Sequence, residues 1–215
     1  MADENCPLPT DGPYAGDCAF TQALRDKAAA RSAATRGYAW KNCLAKAAGI
    51  KLLLLDVDGV LTDGSITYSD EGIELKTFHV RDGFGLTLLR KVGVEVGIIT
   101  ARTSRALERR CQDLKIEHLF QGRRNKVEAF VGLIAELDLQ ADQVAYMGDD
   151  WLDLALLGRV GLAVTVADAV TEVKEVVDFT SRFNGGQGAV REVCELIVEA
   201  KGKYRELLGD YMERS

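Results

Sequence analysis

The chain has 215 residues, 47% of them apolar and 28% charged, enough for one full hydrophobic core plus an appendage and unlike the make-up of a disordered chain. A formal net charge of −6 provides no overall basic footprint for nucleic acid. The acidic opening MADENCPLPT lacks the apolar stretch of a secretory signal, and no apolar run approaches the roughly 20 residues that span a bilayer. The expectation is therefore a cytoplasmic protein with neither membrane nor nucleic acid as partner. Its five cysteines (Cys6, Cys18, Cys43, Cys111, Cys194) are odd in number and form no CxxC pair, which reads as reduced thiols.

In chain order, all three prolines (Pro7, Pro9, Pro13) fall in the first 13 residues and predict an extended tail. The Ala-, Arg- and Lys-rich stretch Thr21–Ala48 favours helix. Residues 1–48 are thus expected to form an N-terminal extension to a domain at 49–215. From Ile50 onward short apolar runs alternate with helix-period segments. Lys51–Leu55, Glu95–Ile99, Val144–Met147 and Gly161–Val166 predict strands; Gly83–Lys91, Ser104–Leu114, Lys126–Leu137 and Leu152–Leu157 predict helices. Near-continuous apolar strands interleaved with helices imply an α/β fold, a Rossmann-like parallel sheet with helices on both faces. Ser65–Tyr68 and Ile73–Phe78 alternate around Ser69-Asp70-Glu71-Gly72 and predict a β-hairpin after the first strand. A last helix is predicted over Ala189–Leu208, after the glycine-rich Asn184–Gly188.

Acids gather where strands end. Asp56 and Asp58 close the first strand, and residues two apart in an extended chain point the same way. Two carboxylates about 4 Å apart repel by about 4 kcal/mol at an effective dielectric near 20, so their burial calls for a cation or a proton. Val144–Met147 runs into Gly148-Asp149-Asp150-Trp151-Leu152-Asp153, three more acids, of which Asp149 or Asp150 could serve as a helix cap. Hard oxygen ligands converging from separate loops suit Mg²⁺, which commonly takes a substrate phosphate as a further ligand. Thr100-Ala101-Arg102 puts a hydroxyl and a guanidinium at another strand end. Lys126 opens a helix, where a cation opposes the macrodipole by some tenths of a kcal/mol; an anion held there would resolve the conflict.

These elements together resemble the haloacid dehalogenase superfamily of phosphotransferases, over roughly Ile50–Leu208. DVDGV stands for the first motif, IIT for the second, Lys126 for the third and GDDxxD for the fourth, in that order. The resemblance implies Asp56 as a nucleophile that forms an aspartyl-phosphate, Asp58 as general acid and base, and Thr100 and Lys126 as phosphoryl ligands. It implies Asp56, Asp58 (through its carbonyl) and Asp149 as Mg²⁺ ligands, with Asp150 or Asp153 supporting the metal. A receiver-type signalling module uses similar groups, but its acceptor lies on a middle strand.

Only a hairpin and a helix separate the first two motifs, so no large cap domain is expected. The resemblance narrows to the capless sugar-acid phosphatases on DVDGVLTDG, Glu74-Leu75-Lys76, FHVRDGFG, ITAR, Asn125-Lys126, GDD and GGQGAVREVCELI. That group implies a small sugar-acid phosphate as substrate, octulosonate 8-phosphate of lipopolysaccharide synthesis. It implies contacts from His79, Val80, Arg81, Asp82, Gly83, Arg102, Arg110 and Lys126, and a homotetramer with active sites near subunit interfaces. Thr87 and Gln187 stand where the group commonly has arginine, which keeps open a nine-carbon sialic-type acid 9-phosphate. A non-catalytic assembly domain of sialic-acid activation is the other alternative, opposed by the complete set Asp56, Asp58, Lys126 and Asp149.

Overall fold

The computed structural model describes residues 36–213, together with Asp26. Helix α1 (Tyr38–Ala48) leads into strand β1 (Leu52–Leu55), followed by the hairpin strands β2 (Thr67–Tyr68) and β3 (Glu74–Leu75), helix α2 (Val80–Lys91), β4 (Glu95–Ile99), α3 (Arg105–Leu114) and β5 (His118–Phe120). Then come α4 (Lys126–Glu136), β6 (Val144–Met147), α5 (Trp151–Leu157), β7 (Leu162–Thr165), α6 (Thr171–Val176), β8 (Phe179–Thr180), α7 (Ala189–Ala200) and α8 (Tyr204–Glu213).

Six strands form one parallel sheet in the order β5-β4-β1-β6-β7-β8. The four leucines of β1 are all buried, as a central strand covered on both faces requires. Register decides where the chemistry gathers. Leu55 is level with Ile98 of β4 and with Met147 of β6, so these three strands end at one edge of the sheet. The residues that follow, Asp56, Thr100 and Asp149, therefore meet there, outside the carboxyl ends of the strands.

The small hairpin has Tyr68 opposite Glu74. Its Ile66, Tyr68, Ile73 and Leu75 are each about half exposed or more. Among the described residues no helix is long and apolar enough to cross a membrane. Cys43, Cys111 and Cys194 are buried free thiols; Cys6 and Cys18 lie outside the described residues.

Differences from the predicted elements have local causes. Helix α2 begins at Val80, three residues before the expected start, with His79 in extended conformation as its first cap. The expected final helix is two. At Lys201–Lys203 the N–H groups of Gly202 and Lys203 turn back to the carbonyls of Glu199 and Val198. Strands β5 and β8 and helix α6 carry too few residues to show a period. Of the helix expected over Thr21–Ala48, Tyr38–Ala48 is helical, and the part before Arg36 lies outside the described residues apart from Asp26. On the N-terminal side of the 48–49 boundary, Trp40, Cys43 and Ala47 are buried in the same core as the sheet, with Trp40 edge-on to Phe179 at 6.0 Å.

Candidate active site

The edge where β1, β4 and β6 end carries a group of three carboxylates. One oxygen from each of Asp56, Asp149 and Asp153 lies within 4.8 Å of the others. Lys126, at the start of α4, sends its buried side chain into this group. Its Nζ is 2.9 Å from Asp56 Oδ1 and 2.6 Å from Asp153 Oδ1, and it donates to Tyr146 Oη at 3.1 Å. Three acids against one lysine leave surplus negative charge.

Burial and that surplus appear as retained protons. Desolvation, only partly offset by Lys126, raises the Asp56 carboxyl to about 6. Asp149 is raised to about 7, by burial first and then by Asp56, Asp153 and Asp150. For Lys126 burial works against the charge, but Asp56 and Asp153 outweigh it and raise the ammonium above its ordinary value. Asp149 Oδ1 is buried with no hydrogen-bond donor. An acceptor oxygen without a donor, beside a second carboxylate that also resists ionisation, fits a hard divalent cation.

The three acids differ in what they have left to offer. Fully buried Asp153 accepts from Lys126 and Tyr146 on Oδ1, and from the backbone N–H groups of Asp149 and Asp150 on Oδ2 at 2.9 and 3.2 Å. It is a fastening for the loop and for Lys126, with its lone pairs engaged. Asp150, expected beside the metal, is exposed and outside the group of three; its side chain caps α5 by accepting from Trp151 N–H at 2.7 Å. The capping alternative in the sequence is the geometry adopted. Two glycines make room. Gly59 has φ +90°, and a Cβ there would strike the Asp149 carboxylate; a Cβ on Gly148 would strike Asp153.

Asp58 faces away from the three acids, toward the hairpin. Its Oδ1 accepts from Lys76 Nζ, and its Oδ2 is 3.8 Å from Arg102 Nε. Lys76 Nζ is also 3.2 Å from Glu74 Oε1, and Arg102 Nη2 donates to Glu74 Oε2 and, at 3.2 Å, to Tyr68 Oη. The Arg102 hydrogen bond, then Lys76, holds the Glu74 carboxyl below its ordinary value. Buried Thr100 accepts from the Arg102 N–H at 3.2 Å. Arg102 Nε and His79 Nδ1 are buried without hydrogen-bond partners, polar atoms that a bound ligand could satisfy.

The first turn of α2, residues 79–83, divides. Val80 and Arg81 are exposed and His79 half-buried. Arg110 turns back along this first turn, its guanidinium over the Phe78 ring at 5.8 Å and 3.5 Å from the His79 carbonyl, filling the space a side chain on Gly83 would need. Asp82, expected at the substrate, lines one cavity with His79, Gly83 and Arg110, but its carboxylate is engaged within the fold. It is 1% exposed, and its oxygens accept from Gly188 N–H at 3.2 Å and Arg191 N–H at 2.7 Å, so it caps α7 from another helix. Sequence reasoning missed Tyr146, Tyr68 and the paired roles of Glu74 and Lys76. A signal existed for the last two, because residues 74 and 76 share one side of a strand opposite exposed Leu75.

Comparison with known proteins gives the family of this fold. The haloacid dehalogenase-like hydrolase family matches residues 117–193. The 3-deoxy-D-manno-octulosonate 8-phosphate phosphatase KdsC of Escherichia coli (strain K12) is 46% identical over 183 residues, covering 85% of this chain and 97% of that protein. The chain belongs to the KdsC family of haloacid dehalogenase-like hydrolases. The crystal structure of the Moraxella catarrhalis enzyme of that name, in complex with magnesium ion, phosphate ion and KDO, superposes with a TM-score of 0.78 at 40% identity, covering 79% of this chain and 98% of that one. The Yersinia pestis enzyme gives a TM-score of 0.75 at 45% identity, covering 76% and 88%. Both solved relatives share the α/β fold of this KdsC-family chain.

Proposed function

We propose that this enzyme, a phosphoric monoester hydrolase, hydrolyses 3-deoxy-D-manno-octulosonate 8-phosphate with Mg²⁺ as cofactor, through an aspartyl-phosphate on Asp56. The observation that carries the reading is the Asp56–Asp149 pair at one sheet edge, short of positive charge on one side and gripped by Lys126 on the other. Asp56 and Asp149, with the Asp58 carbonyl, would hold the metal. Bound there, Mg²⁺ neutralises charge on the transferring phosphoryl group and keeps Asp56 ionised.

The steps belong to the side chains. An Asp56 carboxylate oxygen forms a bond to phosphorus as the ester P–O bond breaks, and Asp58 gives its proton to the leaving sugar oxygen. Lys126 and the Thr100 hydroxyl hold the phosphoryl oxygens while charge redistributes. Asp58 then takes a proton from water as that water attacks phosphorus, releasing inorganic phosphate and restoring the Asp56 carboxylate. Arg102, Arg110, His79 and Arg81 are assigned to the sugar acid, whose carboxylate suits a guanidinium. The exposed apolar residues of the hairpin support assembly into a homotetramer with active sites near the interfaces. A cytoplasmic place in lipopolysaccharide sugar synthesis completes the proposal.

A second substrate is favoured by one observation. Thr87 donates its hydroxyl to the Gly83 carbonyl at 3.1 Å, a short group committed to its own helix where the group's arginine would extend. A nine-carbon acid 9-phosphate is the alternative substrate for a site without that arginine. The deciding measurement is phosphate release from octulosonate 8-phosphate, nine-carbon acid 9-phosphates and hexose phosphates, each with Mg²⁺ and with EDTA. The eight-carbon acid is expected to give the highest kcat/KM, with activity lost in EDTA. Faster turnover of hexose phosphates, or full activity without metal, would defeat the assignment.

A further inference from the structure

We infer that Lys76, on the hairpin, is a positioning residue for the chemistry: it aims the Asp58 carboxyl group at the leaving oxygen. The inference rests on Asp58 acting as the general acid proposed above.

The argument begins with burial. The Lys76 side chain is 3% exposed, and the cost of taking an ammonium from water must be offset by a paired anion. One carboxylate would meet that need, and Glu74, two residues away, is already 3.2 Å from Nζ. Lys76 nevertheless also reaches Asp58, across a chain separation of 18 residues. Fastening a hairpin to the body of the domain would require any anion in reach, yet the partner here is the acid of the motif.

Charges around Asp58 form a closed set. Asp58 and Glu74 are matched by Lys76 and Arg102, with Glu74 ion-paired to both cations. Each Asp58 oxygen therefore has its own cation, Lys76 on Oδ1 and Arg102 Nε 3.8 Å from Oδ2. Nothing among the described contacts holds this carboxylate from the Asp149 side, so its orientation depends on the hairpin. Arg102 is shared with Glu74 and Tyr68, and on binding a sugar acid it would also serve the substrate. Lys76 is the contact that stays with Asp58. Displacing a catalytic group by about 1 Å can cost about 10²-fold in rate.

The test uses leaving groups, because a general acid matters for an alkyl alcohol and little for p-nitrophenolate. The full-length chain is assayed with Mg²⁺ on octulosonate 8-phosphate and on p-nitrophenyl phosphate, comparing wild type, Lys76→Met, Lys76→Arg and Asp58→Asn. Asp58→Asn should lose about 10²-fold or more in kcat on the sugar ester and far less on the aryl ester. Lys76→Met should show the same selective fall in kcat, by about 10-fold or more within that range, and Lys76→Arg should recover most of it. Equal losses on both esters, a rise in KM alone, or no change would overturn the inference while leaving Asp58 its role. If Asp58→Asn itself loses both esters equally, the acid role fails, and Lys76 has no acid to aim. Should Lys76→Met fail to fold, Lys76→Arg and Glu74→Gln carry the comparison: the arginine should keep the wild-type ratio between esters, and a shifted ratio in Glu74→Gln alone would refute the assignment to Lys76.

Discussion

Asp56 and Asp149 sit where burial makes negative charge costly, and they retain protons up to about 6 and 7. A cation must displace those protons, so affinity for Mg²⁺ should weaken as pH falls through 7 and then 6, by roughly tenfold per unit for each proton displaced. The sign for stability follows from the same shifts. Both carboxyls bind protons more tightly folded than unfolded, so their contribution to the metal-free fold declines as pH rises from about 4 to 7. Melting of EDTA-treated protein with and without added Mg²⁺ should show a larger increase in Tm at pH 8 than at pH 5.5; an increment that grows on acidification would contradict this. Replacing Asp56 by Asn should cut kcat by about 10³-fold or more with the circular dichroism spectrum unchanged. Retained turnover would remove Asp56 from the role of nucleophile.

At the scale of elements, short polar contacts decide how loops and helices meet. Asp82 on α2 caps α7, a junction that also seats the glycine-rich loop, whose Gly186 N–H donates to the Val60 carbonyl at 2.9 Å. Removing a helix cap costs about 1 kcal/mol, up to about 2, so Asp82→Ala should lower Tm by a few degrees. Thermal melting beside kinetics separates the possibilities: a KM defect at unchanged Tm would return Asp82 to the substrate. Tyr146 fastens Asp153 from within β6, and burial raises its hydroxyl well above the ordinary value, keeping it a donor. Tyr146→Phe leaves Asp153 one donor short, a loss of about 1 kcal/mol.

For the whole molecule, the sheet's core extends through α1. Trp40 is 4% exposed there, and Arg36 stacks on both Trp40 and Tyr204, joining the N-terminal helix to α8. Trp40→Ala should cost about 3–5 kcal/mol, measured by urea unfolding. A loss under about 1 kcal/mol would make α1 an accessory to the fold. Half-exposed Ile66, Ile73 and Leu75 make the hairpin the surface on which the proposed tetramer depends. Leu75→Asp should shift the mass found by light scattering toward the monomer.

Strand period, acids at strand ends and the order of the four motifs were enough to write down the α/β class, the hairpin, and Asp56, Asp149 and Lys126 as members of one site, because these depend on local pattern and on the rule that parallel strands end together. Glu74 and Lys76 were legible as a motif but not as partners of Asp58, and Asp82 read like a loop residue at the substrate. Which carboxylate keeps free lone pairs, which one caps a helix and which one meets a hairpin lysine are outcomes of packing. Lys76 comes to Asp58 from 18 residues away, Lys126 to Asp153 from 27 and the Arg191 N–H to Asp82 from 109, while Asp150 takes the adjacent Trp151 N–H; the nearest donor, not the residue type, decides what an aspartate does.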